Sequence, residues 1–141
     1  MPAIITAKFY PSAVAQMFNN NIDSGDTFKM ALFYDTNGAY NSAHIQLSEL
    51  GSQITGTGYT SGGATLAGGV TATSDGTKTN ISMGSATWNS ATFTFRRAAV
   101  YSTAGSLNRL IMHLEWDEDQ IVIGQDYIVS NSAASTATPI V

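Results

Sequence analysis

The chain has 141 residues, of which 43% are hydrophobic and only 11% charged, with a net charge of −4 and no cysteine. That length suits one domain with a sizeable core, and the hydrophobic fraction excludes a disordered chain. The missing cysteines exclude disulfides, thiolate zinc sites and a thiol nucleophile.

Soluble domains usually carry about 25% charged residues. Here small neutral residues (Thr, Ser, Gly, Ala, Asn) take that place. Such a surface suits packing against copies of the same chain or against a shell. The six basic residues are scattered apart from Arg96-Arg97, so no phosphate-tracking groove and no nucleic-acid partner is expected. Residues 1–10 lack a basic stretch followed by an apolar run, so no secretory signal is expected. No apolar stretch approaches the ~20 residues of a membrane span, so no membrane partner is expected.

In chain order, residues 11–22 predict the one convincing helix. Pro11 suits a first turn, and Val14, Met17 and Phe18 share a face. After the turn at residues 23–26, residues 27–34 alternate as a strand. Phe28, Met30, Leu32 and Tyr34 lie on one side, with Lys29, Ala31 and Phe33 on the other. Residues 43–50 suit a short helix stopped by Gly51. The run from Gly56 to Gly63 is glycine-rich. It lacks the lysine and following helix of a phosphate loop, so it reads as a tight β-connection with positive φ at its glycines. Strands follow near 64–73, 78–83, 86–88 and 91–101, with a hairpin turn at Asp75-Gly76. Residues 110–116 make another strand, the acidic residues 117–120 a turn, and residues 121–123 and 127–129 the last strands around Gly124.

Many short strands and frequent turns predict a mainly β, single-domain fold, a β-sandwich or barrel-like antiparallel sheet with one N-terminal helix. The expected division is a β-rich domain over 1–130 and an extended tail over 131–141. That tail either frays or docks as an arm on a neighbouring subunit through Pro139, Ile140 and Val141.

The order of short motifs resembles a family of small virion proteins of tailed bacteriophages. A helix over residues 13–20 leads through Asp23 and Asp26 into Phe28-Lys29-Met30-Ala31-Leu32-Phe33-Tyr34. Residues 47–50, Gly56-Thr57-Gly58-Tyr59, Gly62-Gly63 and Leu66 follow. Then come Trp88-Asn89-Ser90-Ala91-Thr92-Phe93 and the strand ending Ala98-Ala99-Val100-Tyr101. The likeness runs over about 130 residues. Tyr101 follows Val100 directly, where members often have one residue between, and the acidic run 115–119 and the Ser/Thr tail also depart from the pattern. The resemblance implies a non-enzymatic, β-rich virion component, located in the virion as head decoration, neck or tail. Its partners would be the major capsid protein or other virion proteins, and copies of itself in a homo-oligomer.

The residues offer little chemistry. Glu115, Asp117, Glu118 and Asp119 form the one carboxylate cluster, without the spacing of an EF-hand calcium loop. They read as a solvated acidic turn, with a bound cation as the sharper alternative, and nothing marks one of them as the raised acid of a glycosidase pair. His44 and His113 have no G-x-S-x-G nucleophile elbow to serve. His113 reads as a cross-strand or surface residue, on the side of Ile111 and Glu115. No catalytic, cofactor-binding or metal-ligating residue is therefore assigned, and no cofactor is expected. Arg96 and Arg97 face opposite sides of a strand. Arg97, on the side of Phe93 and Phe95, pairs with an acid within the fold or across an interface. Trp88 and Trp116 serve as core or interface anchors, with carbohydrate stacking as the sharper alternative. The interface candidates are thus Tyr59, Trp88, Arg97, Trp116 and the tail residues Pro139, Ile140 and Val141.

Overall fold

The computed structural model describes residues 5–23, 25–74, 76, 79–105 and 107–129. The expected tail and its Pro139, Ile140 and Val141 lie outside the described residues. Strand β1 (Ile5–Phe9), helix α1 (Pro11–Phe18), β2 (Phe28–Phe33), a 3-10 turn at Leu47–Leu50, β3 (Ala64–Thr65), β4 (Ala67–Ser74), β5 (Thr79–Ser102) and β6 (Arg109–Val129) follow one another. The fold is mainly β and every strand pairing is antiparallel, as the alternation predicts. The sheet runs β1-β6-β5-β2-β3 with β4 beside β5. It does not close, so the barrel form of the expectation does not hold among the described residues.

The organising feature is the long β5–β6 hairpin. Residues 86–88 and 91–101 are not separate strands but parts of β5. The acidic residues 117–120 do not turn the chain; they lie inside β6. β-Bulges replace the expected turns. Register shifts fall between Trp88 and Ala91, Ala91 and Phe93, Phe95 and Arg97, and Val100 and Tyr101. Bulges bend a strand and increase its twist without ending it. One apolar cluster therefore runs along β5 from Met83 to Val100 and takes in residues of α1, β2, β4 and β6.

The bulge at Arg96-Arg97 also corrects a face. Strict alternation puts Arg97 with Phe93 and Phe95. In the structure Phe93, Phe95 and Ala98 share the main core. Arg97 lies on the opposite face with Ala99 and Tyr101, which join Tyr10, Ala31, Phe33, Leu50 and Leu110 in a second cluster. The two faces of β2 divide as its alternation predicts: Phe28, Met30 and Leu32 line the first cluster, Ala31 and Phe33 the second. Tyr34 lies beyond the strand and is exposed. Residues 34–51 cover the second cluster with Tyr40 and Leu47, and the expected helix over 43–50 forms only as the single turn Leu47–Leu50.

Helix α1 also presents a different face from the one its spacing suggests. Ala13 is buried and Met17 packs on the core, whereas Val14 is 42% and Phe18 88% exposed. The Tyr10 amide donates to the Ile111 carbonyl. That bond fixes how the chain enters the helix and turns the small Ala13 toward the sheet.

The glycine loop behaves as expected. A Cβ on Gly63 would sit 1.7 Å from the Met30 carbonyl oxygen, at φ +84°. Only glycine lets the loop come this close to β2 in the left-handed region.

Candidate functional site

The densest polar grouping lies on the second face of the sheet, under residues 34–51. β5 and β6 place Arg97 opposite Glu115, and β1 places Lys8 opposite His113. Arg97 Nε donates to Glu115 Oε1 at 3.1 Å, and His113 Nε2 meets the same oxygen at 3.1 Å. Arg97 Nη1 also donates to the carbonyls of Asp35 at 2.6 Å and Asn37 at 3.3 Å, tying the covering segment to the sheet. Tyr40 completes the layer. Its hydroxyl donates to the Phe9 carbonyl at 2.9 Å, its ring stands 5.6 Å from that of His113, and Lys8 Nζ lies 5.1 Å from the ring centroid.

The electrostatics follow from this packing. Burial is the strongest influence on His113 and lowers its pKa from the ordinary 6.5. The bond to Glu115 opposes this, and the charges of Arg97 and Lys8 reinforce it. His113 is therefore neutral near pH 7, with its proton on Nε2, where the carboxylate accepts. Nδ1 is buried without a partner. Partial burial alone would raise the Glu115 carboxyl, but the bonds from His113 and Arg97 outweigh it and hold the group below its ordinary 4.5.

This arrangement binds segments together. A triad needs a nucleophile against the imidazole. The described bonds of His113 go to Glu115 alone, and Ser12 donates to the main-chain carbonyl of His44, not to its ring. Glu115 is held by Arg97 and His113, and Asp119 by Arg96 at 3.0 Å. Among the described residues no group of three or more His, Asp or Glu is placed to hold a metal ion.

Of the interface candidates, the structure describes Tyr59, Trp88, Arg97 and Trp116. Trp88 and Trp116 are each 3% exposed. They end a chain of edge-to-face aromatics in which Trp88 meets Phe93 at 6.2 Å, Phe93 meets Phe95 at 6.0 Å and Phe95 meets Trp116 at 4.9 Å. Both are core anchors. Neither offers an open ring for a sugar. Arg97 takes its acid within the chain, which settles the choice its sequence position leaves open. Tyr59 is half-buried against Phe93. Its hydroxyl donates to Gln53 Oε1 and accepts from the Leu32 amide at 3.0 Å, and burial raises its pKa. A shallow groove of about 610 Å³ lies beside it, lined by residues 51–56, Tyr59 and Ser61.

Three features escape a reading of the sequence. Tyr40 and Gln53 sit in loops, and no periodicity marks them as the residues that close the fold. His113 stands cross-strand to Lys8 and Ala99, one of its two expected settings, but its burial to 2% exposed is not marked in the sequence. The third is outward-facing: Ile121, Ile123 and Ile128 are 65%, 72% and 60% exposed along β6. The alternation of 121–123 predicts a strand, but only the paired structure shows which side meets solvent.

No protein-family description, curated protein or solved structure matches the chain.

Proposed function

We infer that this chain is a non-enzymatic structural protein of a tailed-phage virion, acting as a capsid decoration protein on the outer head lattice. The observation that carries this reading is how the chain divides its residues between inside and outside. The ion pairs and tryptophans hold the fold together, while the outer side of β6 presents isoleucines beside exposed carboxylates, in a chain with only 11% charged residues. A particle protein needs such a rigid, weakly charged body, whose many small contacts are multiplied by copy number. The motif order along the chain supports the virion assignment.

A neck or tail component fits the same division, and the site on the particle distinguishes the two. A glycan- or receptor-binding module would want exposed aromatic platforms, and the burial of Trp88 and Trp116 counts against it. Immunogold labelling of intact particles tests the reading. Label spread over the head is the expected result. Label confined to the neck or tail replaces decoration with the second assignment, and unlabelled particles refute both.

A further inference from the structure

We propose that the outer edge of β6 is a self-recognition edge, through which two copies of this chain pair antiparallel about a two-fold axis between Gly124 and Gln125.

β5 pairs with one side of β6 over 109–115 and 120–129, and among the described residues β1 meets the other side over 112–116. Among the described residues no strand pairs with that side from 120 to 129. An edge strand offers a row of main-chain donors and acceptors to any strand that matches it. Proteins blunt such edges with charged residues, proline or bulges. Over 120–129 the edge has no lysine or proline, one carboxylate at Asp126 and one irregularity at Gly124, and it carries exposed isoleucines.

A second copy is the occupant that fits, because the segment is its own complement. Gly124, at φ +59°, breaks the alternation at a register irregularity between Phe93 and Ala91. Before it, Ile121 and Ile123 face outward and Val122 inward. After it, Asp126 and Ile128 face outward, while Val129 is buried and Tyr127 half-buried. Pairing Ile121 with Ile128, Val122 with Tyr127 and Ile123 with Asp126 therefore joins outward to outward and inward to inward. Gln120 and Val129 then close each end. The interface is isologous, as a closed dimer requires. The two ridges join, with Ile121 of each copy against Ile128 of the other, and cross-strand pairs of this kind stabilise a sheet.

Charge selects the direction. Residues 117–129 hold Asp117, Glu118, Asp119 and Asp126 and no Lys or Arg. Parallel in-register pairing would set the two acidic runs side by side. The antiparallel register carries each run past the other copy's Val129, and Asp126 already accepts a bond from the Ser90 amide. This interface does not rest on the virion reading and survives its failure.

The chain has no cysteine of its own, so cross-linking reads the register directly. Ile121→Cys and Ile128→Cys chains, mixed and oxidised, are expected to give a disulfide-linked dimer faster than either chain alone. Sedimentation equilibrium of the native chain is expected to give a reversible dimer. Ile121→Lys with Ile128→Lys sets like charges opposite one another and raises the dimer Kd about tenfold or more, whereas Ile121→Lys with Ile128→Glu restores it. All these positions are solvent-facing, so circular dichroism should show each variant folded. A native chain that stays monomeric at millimolar concentration overturns the proposal. So does a dimer that cross-links fastest through Ile121→Cys alone, or one indifferent to the paired lysines.

Discussion

His113 is the residue whose setting departs most from its sequence neighbourhood. Its folded pKa lies below 6.5 and that of Glu115 below 4.5, so the unfolded chain binds more protons than the folded one, and stability rises with pH. The His113 share is present above about pH 6.5 and is lost as pH falls below it toward the depressed folded value; the Glu115 share is lost below about pH 4.5. Urea unfolding across about pH 2.5–8 should show both declines. His113→Gln should remove the upper one and leave the lower. Gly63 makes an independent test. Gly63→Ala forces a Cβ into the Met30 carbonyl at a positive φ, and should lower the unfolding free energy by more than about 2 kcal/mol.

At the scale of elements, the aromatic chain along the β5–β6 hairpin holds the main core together. Trp88→Ala should cost about 3–5 kcal/mol in chemical denaturation, the range for emptying a large buried site. Ile123→Thr, on the solvent side of the same hairpin, should change the unfolding free energy of the monomer by less than about 0.5 kcal/mol. The sequence makes β2 legible down to its two faces, because its alternation is unbroken. It makes the type of α1 legible but not its buried side, which is set by the Tyr10–Ile111 bond between segments distant in sequence. The long strands are misread as shorter ones because a bulge and a turn use the same small and polar residues. Only pairing with a partner strand decides between them. The face of Arg97 fails for the same reason: one bulge at Arg96-Arg97 reverses every side chain beyond it.

At the scale of the molecule, the antiparallel sheet carries one apolar cluster on each face. Residues 34–51 are held to the sheet by Arg97 and Tyr40 and by main-chain bonds of Ile45 and Leu47 to Leu110 and Asn108, so the covering segment and the ion cluster should unfold together in hydrogen exchange. Calcium should leave Tm unchanged, since Glu115 and Asp119 already answer to Arg97 and Arg96. The central claim concerns where the chain works. Quantitative mass spectrometry of purified particles, counting this chain against the major capsid protein, tests it most directly. The account predicts a ratio near one per capsid subunit. A ratio far below that would move the protein off the shell to the neck or tail, and its absence from particles would contradict the account.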